Sequence, residues 1–266
     1  MAVIHCNFYS QLLSYDIGVN VILPENRTPY EFDDGKPYCF QVLYLLHGRG
    51  DNCNGWIRGT SIERYALEHR IAVIMPSGED SFYVDSVHGK RYFSYMTEEL
   101  PTRMKEWFPI SDNPADTFIA GLSMGGYGAL KIGLTYPERY GGIGIFSAVT
   151  IPKGLYGILN NFKDCEILKD NLDRVFGRGQ LRPEDNPMWL LESCVRQQKK
   201  LPLLVQYEGK QDMLYEMNRE FYCFAASLGQ KILYEEWEGG HDWKFWDQAV
   251  EKALETFPLK NNVVWR

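Results

Sequence analysis

Residues 117–129 read TFIAGLSMGGYGA, and this stretch decides the fold. Its first part, Thr117 to Ala120, is an apolar run that predicts a buried strand. After Ser123, a helical pattern that contains several small residues begins at Met124 and runs to Tyr136. Between strand and helix, Gly121-Leu122-Ser123-Met124-Gly125 fits the pattern G-x-S-x-G, which places a serine on a sharp, exposed turn. The two glycines of this pattern lack the side chains that would collide in such a turn.

Strand and helix patterns alternate along the rest of the chain. Apolar, β-branched runs predict further strands at Gly18 to Leu23, Phe40 to Leu46, Ile71 to Met75, Gly142 to Phe146, Pro202 to Tyr207 and Lys231 to Trp237. Helical patterns lie at Ser61 to Glu68, Thr97 to Trp107, Met124 to Tyr136, Met213 to Leu228 and Lys244 to Phe257. This alternation predicts an α/β fold, with a mostly parallel central sheet and helices on both of its faces.

Residues 150–195 interrupt the alternation, because they hold short helical stretches and no convincing strand. We expect them to form a small, cap-like helical insertion over the carboxyl edge of the sheet, where the loops of such folds build binding sites. No repeat, low-complexity tract or Pro/Gly/Ser-rich linker divides the chain. The sequence therefore predicts one α/β domain over residues 1–266.

The composition narrows the class of partner. A net charge of −7 predicts a surface that repels nucleic-acid phosphates and anionic lipid headgroups, so neither nucleic acid nor a membrane is expected as a partner. No run reaches membrane-spanning length, and the first ten residues lack the pattern of a secretory signal. The six cysteines are scattered, which favours reduced, mostly buried thiols in a cytoplasmic protein over a disulfide framework.

Ser123 is the candidate nucleophile of this turn. The helix that follows it would present free N–H groups and its positive dipole end to a reacting carbonyl. The alternative is a glycine-rich turn in which the serine only caps the helix. Gly126, Gly128 and Ala129 favour the nucleophile, because small residues let the helix pack closely on the sheet and a capping serine alone does not require them.

A hydroxyl needs a neighbouring base to take its proton, and His241 is the candidate. It lies in Glu238-Gly239-Gly240-His241-Asp242-Trp243, a glycine loop between the last predicted strand and the last helix. An ordinary surface histidine is the alternative. The other histidines lie in less suitable settings, a tail, a strand end, a helix face and a loop: His5, His47, His69 and His88.

Asp212 is the candidate acid that orients the histidine. It lies in the loop after the strand that ends at Tyr207, which gives the order serine, acid, histidine along the chain. Three rivals stay open: Asp185, Asp242 beside the histidine, and Glu208 at the strand end.

The oxyanion of an acyl-transfer reaction requires backbone donors. Met124 N–H is one candidate, and the loop after Leu46, which reads HGRGDN, offers Arg49 N–H with Gly48 beside it. His47 could also indicate a metal site, but no partner ligand lies at a suitable spacing. Trp56 and Trp243 flank the site in sequence and, together with Gly48, are candidates for substrate contact, with a core position as the alternative for each tryptophan.

Four stretches together resemble the esterase D family of α/β-hydrolases, and within it the bacterial tributyrin esterases: Tyr44-Leu45-Leu46-His47-Gly48, Asn54-Gly55-Trp56, Ala120 to Ala129 and Gly240-His241-Asp242-Trp243. The resemblance covers nearly the whole chain and is weakest over residues 150–195. It implies a cofactor-free and metal-free hydrolase of short acyl esters, with Ser123, Asp212 and His241 as its catalytic triad. At Arg49 relatives often carry an apolar residue, although a backbone donor tolerates that change.

The leading hypothesis is therefore a serine carboxylesterase that acts on small acetyl to butyryl esters, including those of plant-derived carbohydrates. Feruloyl esterase, S-formylglutathione hydrolase and acyltransferase activities use the same scaffold and stay open as alternatives. A binding protein that merely retains the scaffold is a third class, against which the complete triad argues. Exposed aromatic residues leave a homo-oligomer as a further alternative.

Overall fold

The computed structural model describes residues 1–24, 39–152, 154–155, 165–177 and 181–260. Within these ranges, eight strands form one sheet in the order β1-β2-β4-β3-β5-β6-β7-β8. The strands are β1 (Ala2–Ser10), β2 (Tyr15–Leu23), β3 (Gln41–Leu46), β4 (Ile71–Pro76), β5 (Thr117–Leu122), β6 (Gly142–Phe146), β7 (Leu203–Gly209) and β8 (Leu233–Trp237). Strands β3 to β8 run parallel, whereas β1 and β2 form an antiparallel pair that joins the sheet through β4.

Strand β1 was not among the predicted strands. It is an edge strand, and His5, Asn7 and Tyr9 are exposed along it, so it lacks the continuous apolar run of the buried strands. The strand predicted from Gly18 begins earlier, at Tyr15, where it pairs with Ser10 of β1. The mostly parallel sheet itself is confirmed.

The helices alternate with the strands as predicted, and they lie on both faces of the sheet. They are α1 (Gly55–Gly59), α2 (Ile62–Glu68), α3 (Tyr92–Ser94), α4 (Leu100–Trp107), α5 (Met124–Thr135), α6 (Cys165–Phe176), α7 (Pro187–Arg196), α8 (Tyr215–Ser227) and α9 (Trp243–Thr256). The helix predicted from Thr97 starts instead as a π-helical turn at Tyr95–Glu99 that continues into α4.

Two apolar cores sandwich the sheet. One contains Ile62 of α2 and Ala249 of α9, and the other contains Ile132 of α5 and Phe221 of α8. Helix α5 is buried from Met124 to Leu134, which makes it the most enclosed helix around the site. This arrangement, a parallel sheet between two helical layers, is the α/β-hydrolase fold that the sequence predicts.

The region of the predicted insertion, residues 150–195, is described in part. Helix α6 buries Leu172, Val175 and Phe176 in the same core as α5, and α7 packs against α5. Residues 153, 156–164 and 178–180 of the predicted insertion lie outside the described residues.

Two further expectations, on membrane-spanning helices and on the cysteines, concern the described residues. None of their helices combines the length and the apolar composition that a membrane crossing requires. Five cysteines in this part of the chain are free thiols, and only Cys194 among them is buried, so the expectation of mostly buried thiols is wrong.

Candidate active site

Ser123 lies on the turn between β5 and α5 with φ 52° and ψ −116°. This conformation is unfavourable for a residue with a side chain and costs on the order of 1–3 kcal/mol. Three backbone hydrogen bonds hold it: Ser123 N–H donates to Phe146 O at 2.9 Å, and its carbonyl accepts from Tyr127 N–H at 3.1 Å and Val149 N–H at 3.2 Å. The surrounding structure thus fixes the strained turn and presents the hydroxyl.

Glycines let the backbone approach at this turn. A Cβ at Gly125 would lie 2.3 Å from the Leu46 carbonyl oxygen, and a Cβ at Gly121 would lie 2.4 Å from the carbonyl carbon of Gly125. Both contacts are with backbone atoms, which cannot turn aside. The first turn of α5 therefore packs directly on the carboxyl end of β3, as the sequence predicts for these two glycines.

His241 connects Ser123 to Asp212 by hydrogen bonds. The Oγ of Ser123 lies 3.0 Å from His241 Nε2, and the Nδ1 of His241 lies 2.9 Å and 3.0 Å from the two carboxyl oxygens of Asp212. The Asp212 side chain is fully buried, and Leu214 N–H donates to its Oδ1 at 2.8 Å. An imidazole between a hydroxyl and a carboxylate can accept the hydroxyl proton while the carboxylate stabilises the resulting positive charge.

The loops after β7 and β8 fix this geometry by direct contact. A Cβ at Gly209 would lie 2.4 Å from the Gly239 carbonyl oxygen, so no larger residue fits there. Gln211 N–H donates to Gly239 O at 2.9 Å, and Gly239 N–H donates to the Gln211 side chain at 2.8 Å. The rings of His241 and Trp246 pack nearly perpendicular to each other at a centroid distance of 5.0 Å. The imidazole is held in one orientation by these contacts.

The structure gives the three rival acids other surroundings. Asp242 caps α9 by accepting from Phe245 N–H at 3.0 Å. Asp185 forms a buried ion pair with Lys131, at 2.7 Å. Glu208 is fully buried and has no hydrogen-bond partner among the described residues. Asp212 is the carboxylate that contacts the histidine.

His47 supports the loop after β3. Its Nε2 accepts from Gly78 N–H at 2.8 Å, which requires the Nδ1–H tautomer, and Nδ1 donates to Gly48 O at 2.7 Å. Tyr83 donates its hydroxyl to the His47 carbonyl at 3.0 Å. Burial lowers the pKa of His47 from its ordinary value of 6.5, so the ring is neutral at pH 7. In the described ranges, no three His, Cys, Asp or Glu side chains cluster as metal ligands do.

This loop lies beside the serine. A Cβ at Gly48 would come within 3.6 Å of the Ser123 Cβ, and Gly48, Arg49 and Met124 all line the same cavity as the serine. The guanidinium of Arg49 is turned toward Asp80, at 3.8 Å, and Gly50 N–H donates to the Asp80 carboxyl at 2.6 Å. The Arg49 side chain therefore lies toward the loop after β4, which fits a role for its backbone.

Comparison with known proteins bears on this site. The Esterase family model, described as "Putative esterase", matches residues 10–257. The chain belongs to the Esterase family. It is 35% identical over 259 residues to the acetyl esterase of Caldicellulosiruptor saccharolyticus, covering 96% of this chain and 97% of that protein.

Two solved structures from Staphylococcus aureus are also similar. The substrate-bound fluorophosphonate-binding serine hydrolase F is 32% identical with a TM-score of 0.88, over 98% of this chain and 99% of that one. The S-formylglutathione hydrolase FrmB, an apoenzyme, is 34% identical with a TM-score of 0.82, over 96% and 98%. Family and relatives together identify the chain as an enzyme, a serine esterase.

The cavity of this esterase has a volume of about 580 Å³ and holds Ser123 and His241 in its wall. Most of the lining is apolar: Phe82, Leu122, Val149, Leu168, Leu172 and Leu214. Leu168, Leu172 and Asn171 come from α6, and the Asn171 amide donates to the Asp80 carbonyl at 3.1 Å, which ties α6 to the loop beside Arg49. The sequence predicts an insertion near the site without identifying these residues, although residues 165–176 carry an apolar side at helical spacing.

The two tryptophans expected beside the site have different positions. Trp243 lines the cavity. Trp56 does not: it is 1% exposed, donates its indole N–H to Leu46 O at 3.0 Å, and packs edge-to-face on Trp243 at 5.5 Å. Trp56 is therefore a core residue that supports Trp243, and its assignment as a substrate contact is corrected here.

Proposed function

We propose that this esterase hydrolyses short-chain acyl esters of small alcohols through an acyl-enzyme intermediate on Ser123. The observation that carries the proposal is the hydrogen-bonded series Asp212, His241, Ser123 in the wall of an apolar cavity of about 580 Å³. The serine is already within hydrogen-bonding distance of its base, which is the geometry a nucleophilic hydroxyl requires.

In the first step, His241 Nε2 takes the proton of Ser123 as Oγ attacks the ester carbonyl carbon. The tetrahedral oxyanion lies toward the N–H groups of Met124 and Arg49, which we assign as its donors. His241 then returns the proton to the leaving alcohol, and the C–O bond breaks. Water, deprotonated by His241, attacks the acyl carbon; the bond between this carbon and Ser123 Oγ breaks, His241 returns the proton to Oγ, and the acid is released. Asp212 accepts from Nδ1–H throughout and stabilises the imidazolium.

The apolar lining favours a small alkyl group on the acyl side, acetyl to butyryl. The similarity to an acetyl esterase, 35% identical, supports the same choice. Trp243 offers a flat surface for the alcohol part of the substrate, and acetylated plant-derived carbohydrates are the alcohols we propose. In this proposal, the binding partners of the enzyme are small-molecule esters.

An S-formylglutathione hydrolase activity is the second candidate, because the 34% identical relative carries that name. The chemistry is the same, with a thiol as the leaving group. Transfer of the acyl group to an alcohol other than water also uses the same intermediate, and it is measured as ester product when an acceptor alcohol is added.

The experiment compares the purified protein with Ser123→Ala on p-nitrophenyl acetate, butyrate and octanoate. The parent is expected to prefer acetate and butyrate, and the variant to lose at least about ten-thousandfold in kcat/KM. Equal turnover by the two proteins would refute the proposal. Acetylated xylo-oligosaccharides, feruloyl esters and S-formylglutathione are then compared at equal concentration, and the substrate with the highest kcat/KM decides between the candidates.

We also propose that the enzyme works in the cytoplasm. Five cysteines in the described residues are free, and a reducing compartment keeps such thiols unpaired. Fractionation of cells that express the protein, followed by an ester-hydrolysis assay of each fraction, tests this location.

A further inference from the structure

Glu208 is a buried carboxyl that the proposed reaction does not use. It lies near the end of β7, four positions before Asp212, and is fully buried. Neither of its carboxyl oxygens has a hydrogen-bond partner among the described residues. Gln206 Oε1 and Ser147 Oγ are unpartnered as well, so four of the seven buried unpartnered side-chain atoms in this part of the chain belong to β7 or to Ser147, which directly follows the neighbouring strand β6. Their concentration in one place calls for a common explanation.

The unpartnered atoms on this strand are hydrogen-bond acceptors, so what they lack is a donor. Gln206 donates its amide N–H groups to the Asn218 carbonyl at 2.9 Å and the Asn218 side chain at 3.2 Å, so its Oε1 is left as a free acceptor. Gln206 and Glu208 are two residues apart on one strand and therefore share a face of the sheet. An ionised Glu208 would add two further acceptors to that face. A protonated Glu208 instead provides an O–H donor where Gln206 provides an acceptor.

The charges around Glu208 also disfavour a second negative charge. The buried carboxylate of Asp212 lies in the loop that follows, and Glu236 is the register partner of Glu208 on β8. Burial, then Asp212, then Glu236 raise the pKa of Glu208 to about 10. Glu236 itself keeps its charge, because the hydroxyls of Tyr234 and Tyr215 donate to it at 2.8 Å and 3.1 Å.

The cations near Glu208 interact with Glu236 instead. Arg219 on α8 and Lys210 in the loop after β7 both lower the pKa of Glu236. From β6, the neighbouring residue is Ser147, whose N–H donates to the Tyr207 carbonyl at 3.1 Å and whose side chain is neutral. No described cation forms an ion pair with Glu208.

We propose that Glu208 is a positioning residue that stays protonated at neutral pH, so that Asp212 is the single carboxylate that faces His241. This inference rests on the roles proposed above for Asp212 and His241. Loss of the Glu208 proton at high pH would put three carboxylates side by side at the ends of β7 and β8. Their repulsion would move Asp212 away from the imidazole and end turnover.

A protonated Glu208 predicts a pH dependence of the folding stability that can be measured without an activity assay. The folded chain holds it up to about pH 10, whereas the unfolded chain releases it near the ordinary value of 4.5. Between these values the folded state binds one more proton, so stability falls as the pH rises, by about tenfold in the folding equilibrium constant per pH unit. Glu208→Gln imitates the protonated side chain and removes this dependence.

The experiment is urea unfolding of the parent and of Glu208→Gln from about pH 6 to about pH 8. The folding constant of the variant relative to the parent is expected to rise about tenfold per pH unit. Glu208→Met, which cannot hydrogen-bond, is expected to show the same rise per pH unit in this ratio of folding constants, even where it is less stable than the parent at every pH. Glu220→Gln, at an exposed glutamate on α8, is the matched control and shows a constant ratio. A constant ratio for Glu208→Gln as well would overturn the proposal.

The pH profile of kcat/KM tests the positioning role. The parent is expected to lose activity near pH 10 and Glu208→Gln to keep it there, while the acid side of the profile stays in place because one neutral group replaces another. If Glu208 were ionised at neutral pH, the variant would lose a negative charge that acts on Asp212 and through it on the histidine, and the acid side would shift to lower pH. That shift, or an unchanged alkaline loss in the variant, refutes the role. Failure of the Ser123 assay would refute the proposed function but leave the unfolding result standing.

Discussion

The Oγ of Ser123 lies 3.0 Å from the Nε2 of His241, although 118 positions separate the two residues in sequence. The serine is delivered by the turn after β5, and the histidine by the loop after β8. Between them in the sheet stand β6 and β7, and Asp212 follows β7. Because the carboxyl ends of parallel strands share one edge of the sheet, loops distant in sequence meet there.

Asp212→Asn is expected to lower kcat about ten-thousandfold and leave the fold intact, because the amide no longer holds the imidazole in the required tautomer. Steady-state kinetics with p-nitrophenyl acetate measure the loss. Asp242→Asn is the comparison, since Asp242 is adjacent to the histidine but caps α9 instead. A loss of less than about tenfold is expected there. A loss of activity in Asp242→Asn that equals or exceeds the loss in Asp212→Asn would refute the assignment of Asp212 as the orienting acid.

His47→Gln is expected to lower kcat/KM by about tenfold to a hundredfold, because the bonds that hold Gly48 beside the serine are disturbed. The same variant changes the pH dependence of stability. Burial lowers the pKa of His47 in the folded chain, so below about 6.5 the unfolded chain takes up a proton that the folded chain does not. The parent therefore loses stability as the pH falls through that value, and the variant lacks this component.

Thermal unfolding of the parent and His47→Gln near pH 7 and near pH 5 checks the second effect. The drop in midpoint between the two pH values is expected to be smaller for the variant. An equal drop in both proteins would mean that the folded chain protonates His47 as readily as the unfolded chain does, which would contradict the lowered pKa.

Lys131→Met is expected to destabilise the fold by about 3 kcal/mol, because it leaves the buried Asp185 short of one positive partner. Arg182 still pairs with this carboxylate, which keeps the loss at the low end of the usual range. Urea unfolding measures the change. Lys131→Met with Asp185→Leu is expected to recover much of it, and a double variant no more stable than the single one would contradict this account.

Much of the fold and of the site follows from sequence. The strand, glycine turn and helix around Ser123 constrain one another, because the motif works only between those two elements. The parallel order then places Asp212 and His241, each in a loop after a buried strand, on the same edge as the serine. Local pattern and global topology agree at these three residues, and that agreement made them predictable.

Other features depend on contacts that a sequence pattern does not carry. Strand β1 is half exposed at the edge of the sheet, so its residues show no continuous apolar run. Trp56 and Trp243 are the same type of residue, and each belongs to a stretch that resembles the family, so only the fold distinguishes Trp243 in the cavity wall from Trp56 packed behind it. The state of Glu208 depends on Asp212 and on Glu236 from another strand, so no local signal reveals it.

Covalent labelling tests most directly the claim that His241 activates Ser123 as the nucleophile, because the label identifies the nucleophilic residue itself. The protein is incubated with a fluorophosphonate, which phosphonylates an activated serine, and the site is located by peptide mass spectrometry. We predict one adduct, on Ser123, absent from Ser123→Ala and formed at least about a hundredfold more slowly in His241→Gln. Stoichiometric labelling of any other residue, or labelling of Ser123 at the parent's rate after loss of His241, would contradict the account.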